Sequence, residues 1–135
     1  MRDLMLYLHI IAGLSLIVFP VIILIQDRKS TWIRPLSFLT ASISWLLLLP
    51  SAKLYLTFYP ATKTLIKAGS WPWAHSIFME TKEHWGLLLP VIATTAAFLV
   101  YSGRLNESRK WWILLIILAA LIGVMGRIVT MGGTA

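Results

Sequence analysis

The sequence predicts an all-α fold: a polytopic membrane protein built as one bundle of four transmembrane helices. Three observations lead there. The chain of 135 residues is 59% hydrophobic and 13% charged, whereas a water-soluble domain is about half apolar and about a quarter charged. Its apolar residues fall into four runs, Leu4 to Gln26, Leu36 to Tyr59, Trp85 to Tyr101 and Trp111 to Val129. With their flanks, these runs supply the roughly 20 residues an α-helix needs to cross the hydrocarbon core, where only internally bonded backbones are tolerated. The length suits a single domain, 1–135.

Helix 1, about 4–26, begins almost at Met1. It is too long for a signal-peptide core and has no small-residue cleavage site, so it is expected to stay. It carries His9, Gly13 and Pro20. A basic turn, "DRKSTWIRP", leads to helix 2, about 36–59, with Pro50 and Lys53. Residues 60–82 read as an extramembrane loop. Within it, Gly69-Ser70 is a turn signal and Pro72 suits a first helical turn, so a helix is expected to start near Pro72. That helix either runs on into helix 3 or lies at the interface, with Trp71, Trp73 and Trp85 as interfacial anchors. Helix 3, about 83–102, follows "METKEHWG" and contains Pro90; the prolines imply kinks. After "GRLNESRK" comes helix 4, about 110–130, with Ala119, Ala120, Gly123 and Gly126. Small residues at such spacing let helices approach closely. They read as a packing face inside the bundle, with a homodimer face as the alternative.

An even number of spans puts both termini on one face, here the A face. The short turns of the opposite B face carry Arg28, Lys29, Arg34, Arg104, Arg109 and Lys110. Their basic density makes the B face cytoplasmic and both termini external. A net charge of +7 suits anionic lipid headgroups. Its division between two membrane faces argues against nucleic acid as a partner. The chain has no cysteine, which removes disulfides and thiol chemistry.

The ionisable groups in or beside the helices gather toward the A face: His9, Lys53, His75, Glu80, Glu83, His84 and Arg127. A histidine within a membrane helix is a functional candidate by default. Helices 1 and 3 run in the same direction, and His9 and His84 come early in each. Facing each other across the bundle, they would supply two axial ligands to a haem. Gly13, one turn beyond His9, would leave room for the macrocycle. Leu87, Leu88 and Val91 would line its other side, and Arg127 and Lys53 would meet the propionates. Without a CxxCH motif the haem would be b-type.

A small-metal site is the rival. Glu80 and His84 are four apart on a helix, His75 and Glu83 are near in sequence, and imidazole with carboxylate suits zinc, iron or copper. Met79, Met125 and Met131 are further copper ligands in type. The HExxH arrangement is absent, which argues against zinc-protease chemistry. Quinone binding near the A face is a third use of a histidine and a carboxylate. Each residue also has a plainer role. Glu80 and Glu83 complement a helix dipole, Lys53 and Arg127 snorkel, and the histidines hydrogen-bond neighbouring helices.

Together, "LHIIAG" in helix 1, "KEHWG" before helix 3 and "GVMGRIVTMGG" ending helix 4 resemble small four-helix prokaryotic membrane proteins of the b-type cytochrome-like kind. The resemblance implies His9 and His84 as ligands and a prokaryotic inner or plasma membrane. Helix 4 offers Arg127 and no histidine, which argues against a second haem. The expected function is that of an electron-transfer subunit with one haem b near the outer face, working with partner subunits and a quinol pool or periplasmic carrier. The alternatives are a cofactor-free structural or assembly subunit of a larger membrane complex, and a small copper-handling protein. No catalytic residue is evident.

Overall fold

The computed structural model describes the backbone of residues 2–26 and 30–134, and their side chains except at 2, 74–76, 80, 82, 83, 130, 133 and 134. All secondary structure among the described residues is helical and forms four rods. The first is α1 (Arg2–Ile25). The second joins α2 (Ile33–Leu46), α3 (Leu48–Lys53), a wider π-helical segment Leu54–Phe58 and α4 (Tyr59–Ala68). The third joins a π-helical segment Ala74–Met79, α5 (Glu80–Gly86) and α6 (Leu88–Tyr101), and the fourth is α7 (Leu105–Thr134). Four stretches, Asp3–Ile25, Ile33–Ala68, Ile77–Tyr101 and Leu105–Val129, are long and apolar enough to cross a membrane.

The segment 60–82 differs from expectation, because it is a helical hairpin and not a loop. Pro60 sits in the first turn of α4, where a missing N–H is harmless, and the second rod continues to Ala68. The chain then reverses, and the third rod starts at Ala74, two residues beyond Pro72, and runs on into α5 and α6. At 1.5 Å per residue, the 36 residues of Ile33–Ala68 span about 54 Å, against about 30 Å of hydrocarbon. The last part of this stretch, Tyr59–Ala68, stands at the A-face end of the bundle. The rods also start earlier than expected on the B face, at Ile33 and Leu105, since the polar flanks are themselves helical.

Two rods break near a proline. The breaks fall at Leu47 and Leu87, three residues before Pro50 and Pro90. Each proline lacks an N–H for the carbonyl four residues back, Leu46 or Gly86, and its ring crowds that carbonyl. Pro20 lies inside α1 without breaking it.

The rods form a ring. α1 packs on α2 and α7, α6 packs on α2 and α7, and α1 and α6 stand on the diagonal. The main core contains Leu16, Ile92, Ala93, Ala96, Trp112, Leu115 and Ala119. Small polar residues are buried with it: Ser37, Thr40 and Ser44 on one stripe of α2, and Ser108 on α7. Each satisfies its hydroxyl on its own helix, as when Ser37 Oγ donates to the Ile33 carbonyl at 2.6 Å and Thr40 Oγ1 to that of Leu36 at 2.8 Å. Between the second and third rods, Trp45 Nε1 donates to Thr94 Oγ1 at 2.9 Å. A second cluster closes the A-face overhang, where Tyr59, Ile66, Met79 and Val129 are buried against Tyr55, Trp71, Phe78 and Ile128.

The small residues of α7 do not form one inward face. Ala119 is buried, but Ala120 and Gly123 are exposed, and a methyl group added at Gly123 would meet nothing within 4 Å. On the B face, Gly103 has φ of 75°, the left-handed position that ends α6. Its N–H donates to Val100 O at 3.2 Å and that of Arg104 to Leu99 O at 2.8 Å, a Schellman closure that delivers the chain into α7.

Candidate functional site

His9 lies on the inward stripe of α1. Leu16, Pro20 and Ile23 continue that stripe as buried residues, with Ala12 packed on the core; the spacing is that of one helix face. Its Nδ1 and Ser51 Oγ are 2.8 Å apart in a part-buried hydrogen bond. Ser51 follows Pro50 in α3, just beyond the break at Leu47, so the bond ties α1 to the bent part of the second rod. If Nδ1 carries the proton it donates to Oγ, and Nε2 keeps its lone pair. That is the arrangement in which a second partner orients a metal-binding imidazole. In the other tautomer Oγ–H donates to Nδ1. One turn along α1, a methyl group added at Gly13 would meet no atom within 4 Å.

His84 is placed differently. It is exposed on α5, and so are Leu87, Leu88 and Val91. His84, Leu88 and Val91 follow at helical spacing on the outward side, while Leu89, Pro90, Ile92 and Ala93 are buried. The expected apolar wall of a haem slot therefore points away from the core. The levels differ too. Trp45 and Thr94 lie at one height in antiparallel rods. Six residues along each, Ser51 comes level with Leu88, about 6 Å, or four residues, from His84. α1 packs on α3 and the segment Leu54–Phe58, whereas α5 packs on α6, α7 and the segment Ala74–Met79. The structure brings His9 to Ser51 and leaves His84 exposed on α5.

Lys53 and Arg127 are exposed in the A-face part of their rods, as snorkelling cations are. His75, Glu80 and Glu83 lie in the helical backbone of the third rod, but their side chains fall outside the described residues. Among the described residues no cluster of three or more His, Cys, Asp or Glu gathers.

Three polar features escaped the sequence reading. Ser51 as the partner of His9 and the Trp45–Thr94 bond depend on register between rods, which no local pattern carries. The third, the stripe Ser37, Thr40, Ser44, was legible as spacing in "SFLTASIS". No protein-family model matches the chain, and no curated protein or solved structure matches it.

Proposed function

We propose that this chain is an integral membrane protein of four spans that serves as a cofactor-free structural or assembly subunit of a larger membrane complex. One observation carries the membrane reading: large apolar side chains cover the outside of the bundle as well as its core. Serine, threonine and alanine share the interior with Leu16, Ile92, Trp112 and Leu115, while Leu4, Ile11, Leu14, Val18, Phe38, Leu49, Phe98 and Val124 are each at least half exposed. In water so much apolar area would cost about 25 cal/mol per Å²; in lipid it costs nothing, and small residues inside let the helices approach. The same outward surface, bearing His84 and Trp85, is what a partner subunit would meet. Resistance of the chain to alkaline extraction from membranes tests insertion. Native electrophoresis of gently solubilised membranes tests assembly, and migration of all the protein as a lone 15.2 kDa chain in its detergent micelle would count against a complex.

A second reading, the b-type electron-transfer subunit, is favoured by one observation: His9 faces inward with Nδ1 engaged and open space beside Gly13. In this reading His9 supplies an axial nitrogen, and the haem carries the electron. His84 would have to turn inward from its exposed position to supply the other. Spectra of the purified protein, oxidised and reduced, decide between the two. A Soret band that changes in both His9→Ala and His84→Ala establishes the haem reading, and a colourless protein made with ample haem supports the cofactor-free subunit.

A further inference from the structure

At the B-face end of the bundle, the turn before α2 and the turn between α6 and α7 enclose an open groove of about 790 Å³. Its polar lining is Ser30, Thr31, Arg34, Arg104, Asn106 and Glu107, and its size is in the usual range for small-molecule sites, about 300–1,000 Å³. Arg34 is held in place. Its guanidinium lies 5.8 Å from the centre of the Tyr101 ring, and Tyr101 Oη donates to the Arg34 carbonyl at 3.1 Å. Arg104 pairs with Glu107. Among the described residues no carboxylate pairs with Arg34. Next to the groove, sharing Ile33 and Leu105 with it, is a small, partly open pocket lined by Ser108, Arg109 and Trp112. Trp112 is fully buried, and among the described residues its Nε1–H has no partner. The basic lining thus adjoins a buried donor still in need of an acceptor.

We propose that this groove binds the phosphate of an anionic phospholipid headgroup, with Arg34 as the principal contact and Arg104 shared between the phosphate and Glu107. The proposal rests on the membrane reading and is independent of the haem. Arginine suits the task because its planar donors match phosphate oxygens. Basic pockets between membrane helices at the cytoplasmic surface are where such headgroups are recognised. The hydroxyls of Ser30 and Thr31 and the amide of Asn106 provide neutral donors around the same space.

The test is lipid retention by the full chain, purified in mixed micelles of phosphatidylglycerol and phosphatidylcholine and observed by native mass spectrometry. Preferential retention of phosphatidylglycerol is expected, reduced about tenfold in Arg34→Gln, the loss of one charge-assisted hydrogen bond. Arg127→Gln, on the A face, should retain it as the unchanged protein does. Glu107→Gln should increase retention by freeing Arg104, whereas a merely structural ion pair predicts no gain. Equal retention of both lipids, or equal losses in Arg34→Gln and Arg127→Gln, overturns the proposal. If inorganic phosphate at matched ionic strength displaces the lipid from the wild type and binds in its place, the phosphate comes from solution and the lipid assignment is overturned. Resistance to alkaline extraction is measured in parallel. Its loss would sink the membrane reading itself, while its persistence with no lipid preference sinks the groove alone.

Discussion

The His9–Ser51 hydrogen bond offers a prediction that can be worked through. It joins α1 to α3 at 2.8 Å across 42 residues of sequence and is part-buried, so the perturbation is a double-mutant cycle with His9→Ala, Ser51→Ala and both. Interhelical side-chain bonds in membrane proteins average about 0.6 kcal/mol, with about 1.7 as the upper end. The coupling is therefore expected to change the unfolding equilibrium by about 3-fold, and by no more than about 18-fold. Ser51→Ala alone leaves a polar imidazole nitrogen without its partner, which costs about 1–3 kcal/mol. That single variant should thus be more harmful than the coupling suggests. Reversible unfolding in mixed micelles by an anionic detergent, followed by tryptophan emission, gives all four corners. Strictly additive single losses would show that the bond is not made, and the inward placement of His9 would lose its anchor.

Four further outcomes are expected. Ala96→Leu forces a large side chain into a fully buried site and should destabilise by about 1–3 kcal/mol, whereas Phe98→Leu, at an exposed position, should stay within about 0.5; detergent unfolding reads both. Arg109 Nη1 donates to the Leu24 carbonyl at 3.2 Å, a cation at the C-terminal end of α1, so Arg109→Ala should lose about 0.3–1 kcal/mol, less at high salt. The chain has no cysteine, so Thr31→Cys and Lys67→Cys can each be labelled alone by an impermeant thiol reagent. Opposite accessibility in sealed vesicles is expected, with Thr31→Cys on the cytoplasmic side, and same-side labelling would refute the four-span topology. Trp45→Phe and Thr94→Ala should show a positive coupling of the same order as His9–Ser51, about 0.6 kcal/mol.

What the sequence made legible follows from what is local in it. The four apolar runs and the proline breaks depend on solvent transfer and on a missing N–H, which act at the residue itself. The hairpin at 60–82 was missed because lysines and threonines resembled loop residues. Yet Pro60 opens a helix well, and the apolar residues Tyr59 and Ile66 are seven apart on one face, meeting Met79 and Val129. The reading of His84 turns on rotation. Depth along a helix follows from counting residues, but the face presented to the centre depends on neighbours, and Leu89, Pro90, Ile92 and Ala93 are the residues that turn inward. His9, by the same measure, shares its stripe with Leu16 and Ile23, and its inward aim was implicit in that spacing.

The breaks at Leu47 and Leu87 have a mechanical meaning. They lie in neighbouring antiparallel rods, roughly 8 Å apart in height when levelled on Trp45 and Thr94, and both rods continue beyond them to the reversal at Gly69. From Leu47 to that reversal the second rod is a lever arm of about 33 Å at 1.5 Å per residue. A change of about 10° in bend at the proline breaks therefore carries the tip through about 6 Å, while the residues on the B-face side of the fulcrum scarcely shift. A shift of that size would slide Tyr59, Ile66 and Met79 over Val129 and Ile128 of the unbroken α7, so the hairpin and the end of α7 are bound to move as one piece.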